Sequence, residues 1–191
     1  MTCSPWSDNP LGRTLICTSA TRPTGAARYP GLVIYETNTF RYWSWNGTAW
    51  VLIGGPLPRV SVFKAAAQTF STGFNTLNFD SENYDTDGFH DTSTNTNRLT
   101  IPTGLAGVYL VSVYVSASIA STSTDAYVQV NNAGKRYIDM NGVGGVFIGS
   151  TPIPMAAGEF VDITAYNGTG GAGTITTNVN CAFSLAYMGA T

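Results

Sequence analysis

Apolar residues along the 191-residue chain recur at alternate positions or in short solid runs, rather than at the three-to-four spacing of a helix. The longest run is GVYLVSVYVSAS, Gly107 to Ser118. Its near-continuous Val, Tyr and Leu content predicts a central strand buried on both faces, which need not alternate strictly. Near the C-terminus Val179, Cys181, Phe183 and Leu185 alternate with Asn180, Ala182 and Ser184. That pattern predicts a half-buried closing strand over Asn178–Met188, with Cys181 acting as a small buried apolar residue. Further strands are predicted at Ser61–Ala66, Thr76–Phe79, Arg98–Ile101, Ala126–Val130, Lys135–Met140, Gly145–Ile153 and Phe160–Tyr166. The segments between them are rich in Asp, Asn, Ser, Thr and Gly, as loops are. Many short strands with turn signals between them predict one β-sandwich or barrel over residues 60–191.

Ahead of it, residues 31–55 read as a three-stranded meander. Its runs are Leu32–Glu36, Phe40–Trp45 and Thr48–Ile53, and Asn46-Gly47 supplies a type I′ hairpin signal. Tyr35, Tyr42, Trp43, Trp45 and Trp50 would give this small sheet a sticky aromatic surface. So small a sheet is marginal alone and needs a cover for one face. Residues 56–59, within a Gly-Gly-Pro-Leu-Pro run, read as a linker. Residues 1–30 carry Pro5, Pro10, Pro23 and Pro30, which exclude a central strand. They read as an extended arm that orders against another chain.

Composition sharpens the class. Charged residues are only 10% of the chain, against roughly 25% in an average soluble domain, so Ser, Thr, Asn and Gly must carry the polar surface. These residues compete with a helical backbone for hydrogen bonds, which favours an all-β fold. The formal net charge is −2 but unevenly spread: residues 1–59 are net basic and residues 60–191 net acidic. Neither part has the clustered Lys and Arg of a nucleic-acid binder. No apolar run approaches the roughly 20 residues of a membrane-spanning helix. No basic and apolar leader opens the sequence, so a soluble cytosolic start is expected. Cys3, Cys17 and Cys181 lack metal-site spacing, and only Cys3 with Cys17 could pair in an oxidising setting.

The densest polar cluster is DSENYDTDGFHDTSTNTN, with Asp80, Glu82, Asp85, Asp87, His90 and Asp91. Calcium takes six to eight oxygen ligands, but the spacing here is not that of an EF-hand, so a solvated loop is the plainer reading. His90 is the only histidine, and no Gly-x-Ser-x-Gly nucleophile elbow accompanies it. GTGGAGTITTN lacks the Lys-Ser/Thr of a phosphate loop and reads as a flexible hairpin. No catalytic, cofactor or metal residue is assigned, and no enzyme activity is expected. If sugar is bound, the polar loops at Ala120–Asp125, Asn131–Gly134 and Asn167–Gly173 are the natural places.

Residues 60–191 resemble the C1q/TNF-like jelly-roll domain. The points of match are Phe79, Tyr84-Asp85, Gly88-Phe89, Pro102, Gly107 and Tyr109, with MAAGEFVDITAY and FSLAYMGA as later strands. The N-terminal part resembles modules of bacteriophage virion proteins, through Arg22-Pro23, Gly31, Ile34–Thr37 and the Asn46–Trp50 turn. Together these resemblances imply a virion protein assembled in a bacterial host: a homotrimer anchored to other tail, baseplate or capsid proteins. They imply particle docking through Trp6, Arg13, Arg22, Tyr35, Tyr42, Trp43, Trp45 and Trp50, and a trimer core of Tyr109, Phe183 and Tyr187. The outward jelly roll would adhere to the host surface, with a host-surface glycan as the expected partner; the alternatives are a capsid decoration protein and, third, a glycan-degrading tail enzyme.

Overall fold

A computed structural model describes residues 14–118, 124–132, 136–141, 146–168, 173–175 and 178–190. The chain divides into two compact units, with the boundary between Leu57 and Pro58.

In the N-terminal unit β1 (Thr14–Cys17), β2 (Val33–Glu36), β3 (Arg41–Trp45) and β4 (Trp50–Gly54) form a sheet in that order. The meander β2–β4 is antiparallel throughout, and β1 pairs with β2 in parallel. The fourth strand comes from the segment read as a strandless arm. Pro23 and Pro30 fall in the connection after it, around two 3-10 turns at Ser19–Thr21 and Gly25–Ala27. A strand with a single partner does not meet the proline restriction that applies to central strands. The Asn46-Gly47 turn also differs from its expected type. Gly47 has a positive φ of 106° but Asn46 does not, and the Asn46 side chain accepts from the Thr48 and Ala49 amides at 2.9 and 2.8 Å. It is an Asx-capped turn in a four-residue loop rather than type I′.

The C-terminal unit has twelve described strands in two sheets. They are β5 (Arg59–Lys64), β6 (Gln68–Phe70), β7 (Gly73–Thr76), β8 (Ser81–Asp85), β9 (Arg98–Thr100), β10 (Gly107–Ser118), β11 (Thr124–Val130), β12 (Arg136–Asn141), β13 (Val146–Met155), β14 (Phe160–Asn167), β15 (Gly173–Ile175) and β16 (Asn178–Gly189). One sheet runs β6-β15-β10-β16-β5-β8, with β13 on the free side of β10; the other runs β12-β11-β14-β7, with β9 also on β14. Neighbours far apart in sequence, such as β16 beside β5 and β10, give the crossed connections of a jelly-roll sandwich. Tyr109, Phe79, Phe89, Phe147, Phe183, Leu99, Ile153 and Ile163 are fully buried between the sheets. Gly107 is required where β10 meets β16, because a Cβ there would collide with the Tyr187 ring and the Gly189 carbonyl.

Four local expectations are corrected here. The long β10 run is not buried on both faces: Tyr109, Val111, Val113, Val115 and Ala117 are buried, while Val108, Leu110, Ser112, Tyr114 and Ser116 are half-exposed or exposed. Thr76–Phe79 is not a strand beyond Thr76, although Leu77 and Phe79 are fully buried and their amides donate to Ile163 and Thr96 carbonyls. The Asp/Asn-rich segment read as a loop begins with β8, an edge strand paired to β5 alone among the described residues. An edge strand facing water needs no apolar alternation, so the pattern gave no sign of it. The Gly-rich segment likewise carries β15, bonded to β10 and β6.

Candidate functional site

Each unit carries its own apolar surface, built by strand parity. In the N-terminal sheet one face places Ile34, Trp43 and Trp45 inward. The connection between β1 and β2 caps these rings with cations: the Arg22 guanidinium lies 4.1 Å from the Trp43 ring centre, and Arg28 lies 4.1 Å from that of Trp45. Trp50 packs edge-on to Trp45 at 5.5 Å. Glu36 is fully buried in the same layer and accepts from Arg22, from Thr39 Oγ1 at 2.7 Å and from Trp43 Nε1 at 2.9 Å. Burial alone would raise its carboxyl, but the hydrogen bonds from Arg22, Thr39 and Trp43 and the Arg22 charge outweigh this and hold it below its ordinary value.

Among the proposed docking residues, Trp43, Trp45 and Arg22 therefore build the unit's interior rather than its contact surface. Tyr35 and Tyr42 are on the opposite face, paired at 4.7 Å, in one cross-strand row with Ile16. Ile16, Tyr42 and Ile53 are exposed, and Val33, Tyr35 and Val51 half-buried. Phe40 stands at the β2–β3 turn with φ 56° and 64% of its surface exposed. A left-handed, exposed aromatic residue is costly twice over, in backbone strain and in apolar hydration. Trp6 and Arg13 lie outside the described residues.

In the C-terminal unit Tyr109, Phe183 and Tyr187 point into the sandwich. Tyr109 packs on Phe89 and Tyr187 at 5.8 and 5.4 Å, and its hydroxyl donates to the Leu105 carbonyl at 2.6 Å. These side chains, expected at a trimer core, lie inside the sandwich of the chain itself. The surface one residue out of phase is the available one. Register places Ile148, Tyr114, Ala182 and Phe63 in one row, then Ser150, Ser112, Ser184 and Ser61, then Pro152, Leu110 and Ala186, closing on the exposed Arg59. Val146, Ile148, Tyr114 and Met188 are exposed on or beside this face, Ile148 by 66%. Two apolar bands thus flank a strip of serines. The parity of β10 was the signal that could have found it, had the run been read as one-sided.

The acidic cluster is spent on backbone. Asp80 accepts from the Ala65 and Ala66 amides at 2.6 and 2.9 Å; Asp85 accepts from the amides of Asp87, Gly88 and His90. Asp91 takes the hydroxyls and amides of Ser93 and Thr94, which hold its carboxyl well below the usual range. Among the described residues no three His, Cys, Asp or Glu side chains converge as metal ligands. His90 is tied on both sides, Nδ1 to Glu82 at 2.9 Å and Nε2 to the Thr96 carbonyl at 3.4 Å. Of the loops considered for sugar contact, residues 120–123, 133–134 and 169–172 lie outside the described residues.

No family model and no curated protein matches this sequence. Solved structures do match. The crystal structure of murine APRIL at pH 8.5 has a TM-score of 0.56 at 6% identity, over 70% of this chain and 100% of that one. Eiger TNF from S. frugiperda gives 0.54 at 12% identity, over 72% and 96%. The globular domain of zebrafish complement 1qA protein gives 0.50 at 14% identity, over 69% and 96%. At such identities the likeness is one of fold, and the fold is the TNF/C1q-like jelly roll.

Proposed function

We propose that this chain is a structural component of a bacteriophage particle, a homotrimer whose first 57 residues attach it to other virion proteins and whose jelly roll is displayed to bind the host surface. The observation that carries the assembly is the uncovered apolar face of β13, β10, β16 and β5. Fully burying side chains such as Ile148, Tyr114 and Met188 contributes about 1.5–3 kcal/mol each, a large fraction of a domain's stability. The TNF/C1q-like fold supports a three-fold arrangement through the resemblance already drawn. Three copies of one weak site then gain avidity on a repetitive surface.

The attachment reading rests on the N-terminal unit. Its phage-like residues Arg22, Gly31 and Asn46 build the fold, and its second face, with Ile16, Tyr42, Ile53 and Phe40, is left for a partner. A binding role without a catalytic step agrees with the structural use of His90 and the carboxylates around it. Deleting residues 1–57 and quantifying the protein in purified particles tests the whole reading. The truncated chain is expected to fold and associate yet be missing from particles, while the full chain is present as a handful of trimers. Incorporation of the truncated chain contradicts the attachment role, and coverage of the capsid in many copies replaces host adhesion with decoration.

A further inference from the structure

The second sheet of the jelly roll has an outer face of its own. Ala126, Val128, Val130, Val161, Ile163 and Ala165 turn into the sandwich, so the residues alternating with them on β11 and β14 turn away from it. Register sets three rows across that outer face: Phe74, Tyr166 and Asp125; then Thr76, Thr164 and Tyr127; then Arg98, Asp162 and Gln129. Exposure differs between the rows. Asp162, Thr164, Gln129 and Tyr127 are buried, Tyr166 and Asp125 are half-buried, and Phe74 is 63% exposed. The first row is the most open of the three.

Its three members differ in chemistry. Phe74 stands on β7, at the edge of the sheet, with its ring 4.9 Å from Tyr166 and 6.2 Å from Tyr127. Those two rings buttress it while most of its own surface stays in water. The Tyr166 hydroxyl and the Asp125 carboxylate make no hydrogen bond or ion pair among the described residues. The row thus presents a fixed apolar plate at one end, an unused phenol in the middle and an unused acceptor at the other end. Two strand spacings, roughly 10 Å along the backbone, separate the ends.

This arrangement narrows the occupant. An anion meets the Asp125 charge inside the row itself. A small cation cannot touch the Phe74 ring and the carboxylate at once over that span, and the contact between Phe74 and Tyr166 leaves no gap between the rings to cage one. A purely apolar surface would strand the carboxylate and the phenol without partners. A neutral sugar chain satisfies all three groups. The C–H face of a pyranose lies flat on an aromatic ring, and hydroxyls further along the chain donate to the carboxylate.

We propose that Phe74, Tyr166 and Asp125 bind a neutral oligosaccharide, with one pyranose stacked on the Phe74 ring and hydroxyls of the neighbouring unit donating to Asp125. The site rests on the host-adhesion reading and names the ligand class for it. It adjoins two of the loops singled out in the sequence: Asp125 closes Ala120–Asp125, and Tyr166 precedes Asn167–Gly173.

The test is titration of the full chain with glucose and galactose trisaccharides, using a uronic acid trisaccharide and tetramethylammonium as comparisons, followed by amide chemical shifts. Saturable binding of a neutral trisaccharide is expected, with shifts centred on residues 73–76, 125–127 and 164–167. Phe74→Ala, at a mostly exposed side chain, is expected to weaken it about tenfold, and Asp125→Asn, which keeps the shape, about threefold. Sugar binding that neither variant changes overturns the site. Equal binding of uronate or tetramethylammonium overturns the ligand class, and no binding of either neutral sugar at millimolar concentration overturns the proposal. A lower sedimenting mass for Phe74→Ala assigns this face to contacts between copies and overturns it as well. Adsorption of the same chain to host cells is measured in parallel: retained adsorption without sugar binding leaves the adhesion reading standing, and sugar binding without adsorption removes that reading and keeps the site.

Discussion

Two buried carboxylates show how much neighbours decide. Glu36 and Asp162 are both fully buried, one in each unit. Glu36 is surrounded by donors from Arg22, Thr39 and Trp43. Its folded-state proton affinity lies below the ordinary value of 4.5, so the stability it contributes is present above that pH and is lost as pH falls through the depressed value. Glu36→Gln is expected to cost the N-terminal unit about 3 kcal/mol at pH 7, because Arg22 loses its partner. Urea unfolding followed by tryptophan fluorescence reads this through Trp43, and the variant should also lose the acid-sensitive step below pH 4.5.

Asp162 is the opposite case. Burial raises its carboxyl above the ordinary 3.8, and nearby Gln129 and Arg98 offset only part of that. The folded state then holds the proton more tightly than the unfolded chain. Its favourable contribution is complete below pH 3.8 and falls away as pH rises through the elevated value. Asp162→Asn should therefore stabilise the jelly roll at pH 7, by about 1–3 kcal/mol, and flatten its loss of stability above pH 4. Thermal unfolding at pH 4 and pH 7 gives the comparison; a destabilised variant at pH 7 means the carboxylate has a partner that matters. Neither environment was legible in the sequence, because both carboxylates are judged by what the fold brings within 3 Å of them.

At the scale of elements, strand existence was largely readable and strand facing was not. The boundaries of β10 coincide with the predicted Gly107–Ser118, and β14 and β16 lie within a residue or so of their predictions. Short strands escaped notice, β1 and β8 at sheet edges and β15 between β6 and β10, since a strand with little to bury has little pattern to show. The facing error on β10 had a chemical cause. Val108, Leu110 and Tyr114 are as apolar as the core residues between them, so the run read as buried on both sides. An apolar outward face on a central strand is the mark of a surface meant to be covered. Ile148→Asp places a charge on that face, on its outer strand β13, without touching the interior. It is expected to dissociate the proposed trimer while leaving the β circular dichroism and unfolding midpoint of the unit close to those of the parent. An intact assembly would move the contact elsewhere.

For the whole molecule, the sequence patterns located a jelly roll behind an aromatic front segment, and the fold comparisons agree on the TNF/C1q-like sandwich. Of the aromatic residues expected to be the docking surface, Trp43 and Trp45 are internal, with Arg22 and Arg28 folded over them, while Tyr42 is exposed and Tyr35 and Trp50 are half-buried. Among the described residues of this unit, Ile16, Tyr29, Phe40, Tyr42 and Ile53 are the exposed large apolar side chains that the proposed attachment would use. The account needs copies of this chain to cover one another's β13-β10-β16-β5 face. Sedimentation equilibrium of the full chain at micromolar concentration measures that directly. A mass three times that of the chain is predicted, falling to the chain mass for Ile148→Asp; a parent protein that sediments as a monomer with that face in water contradicts the account.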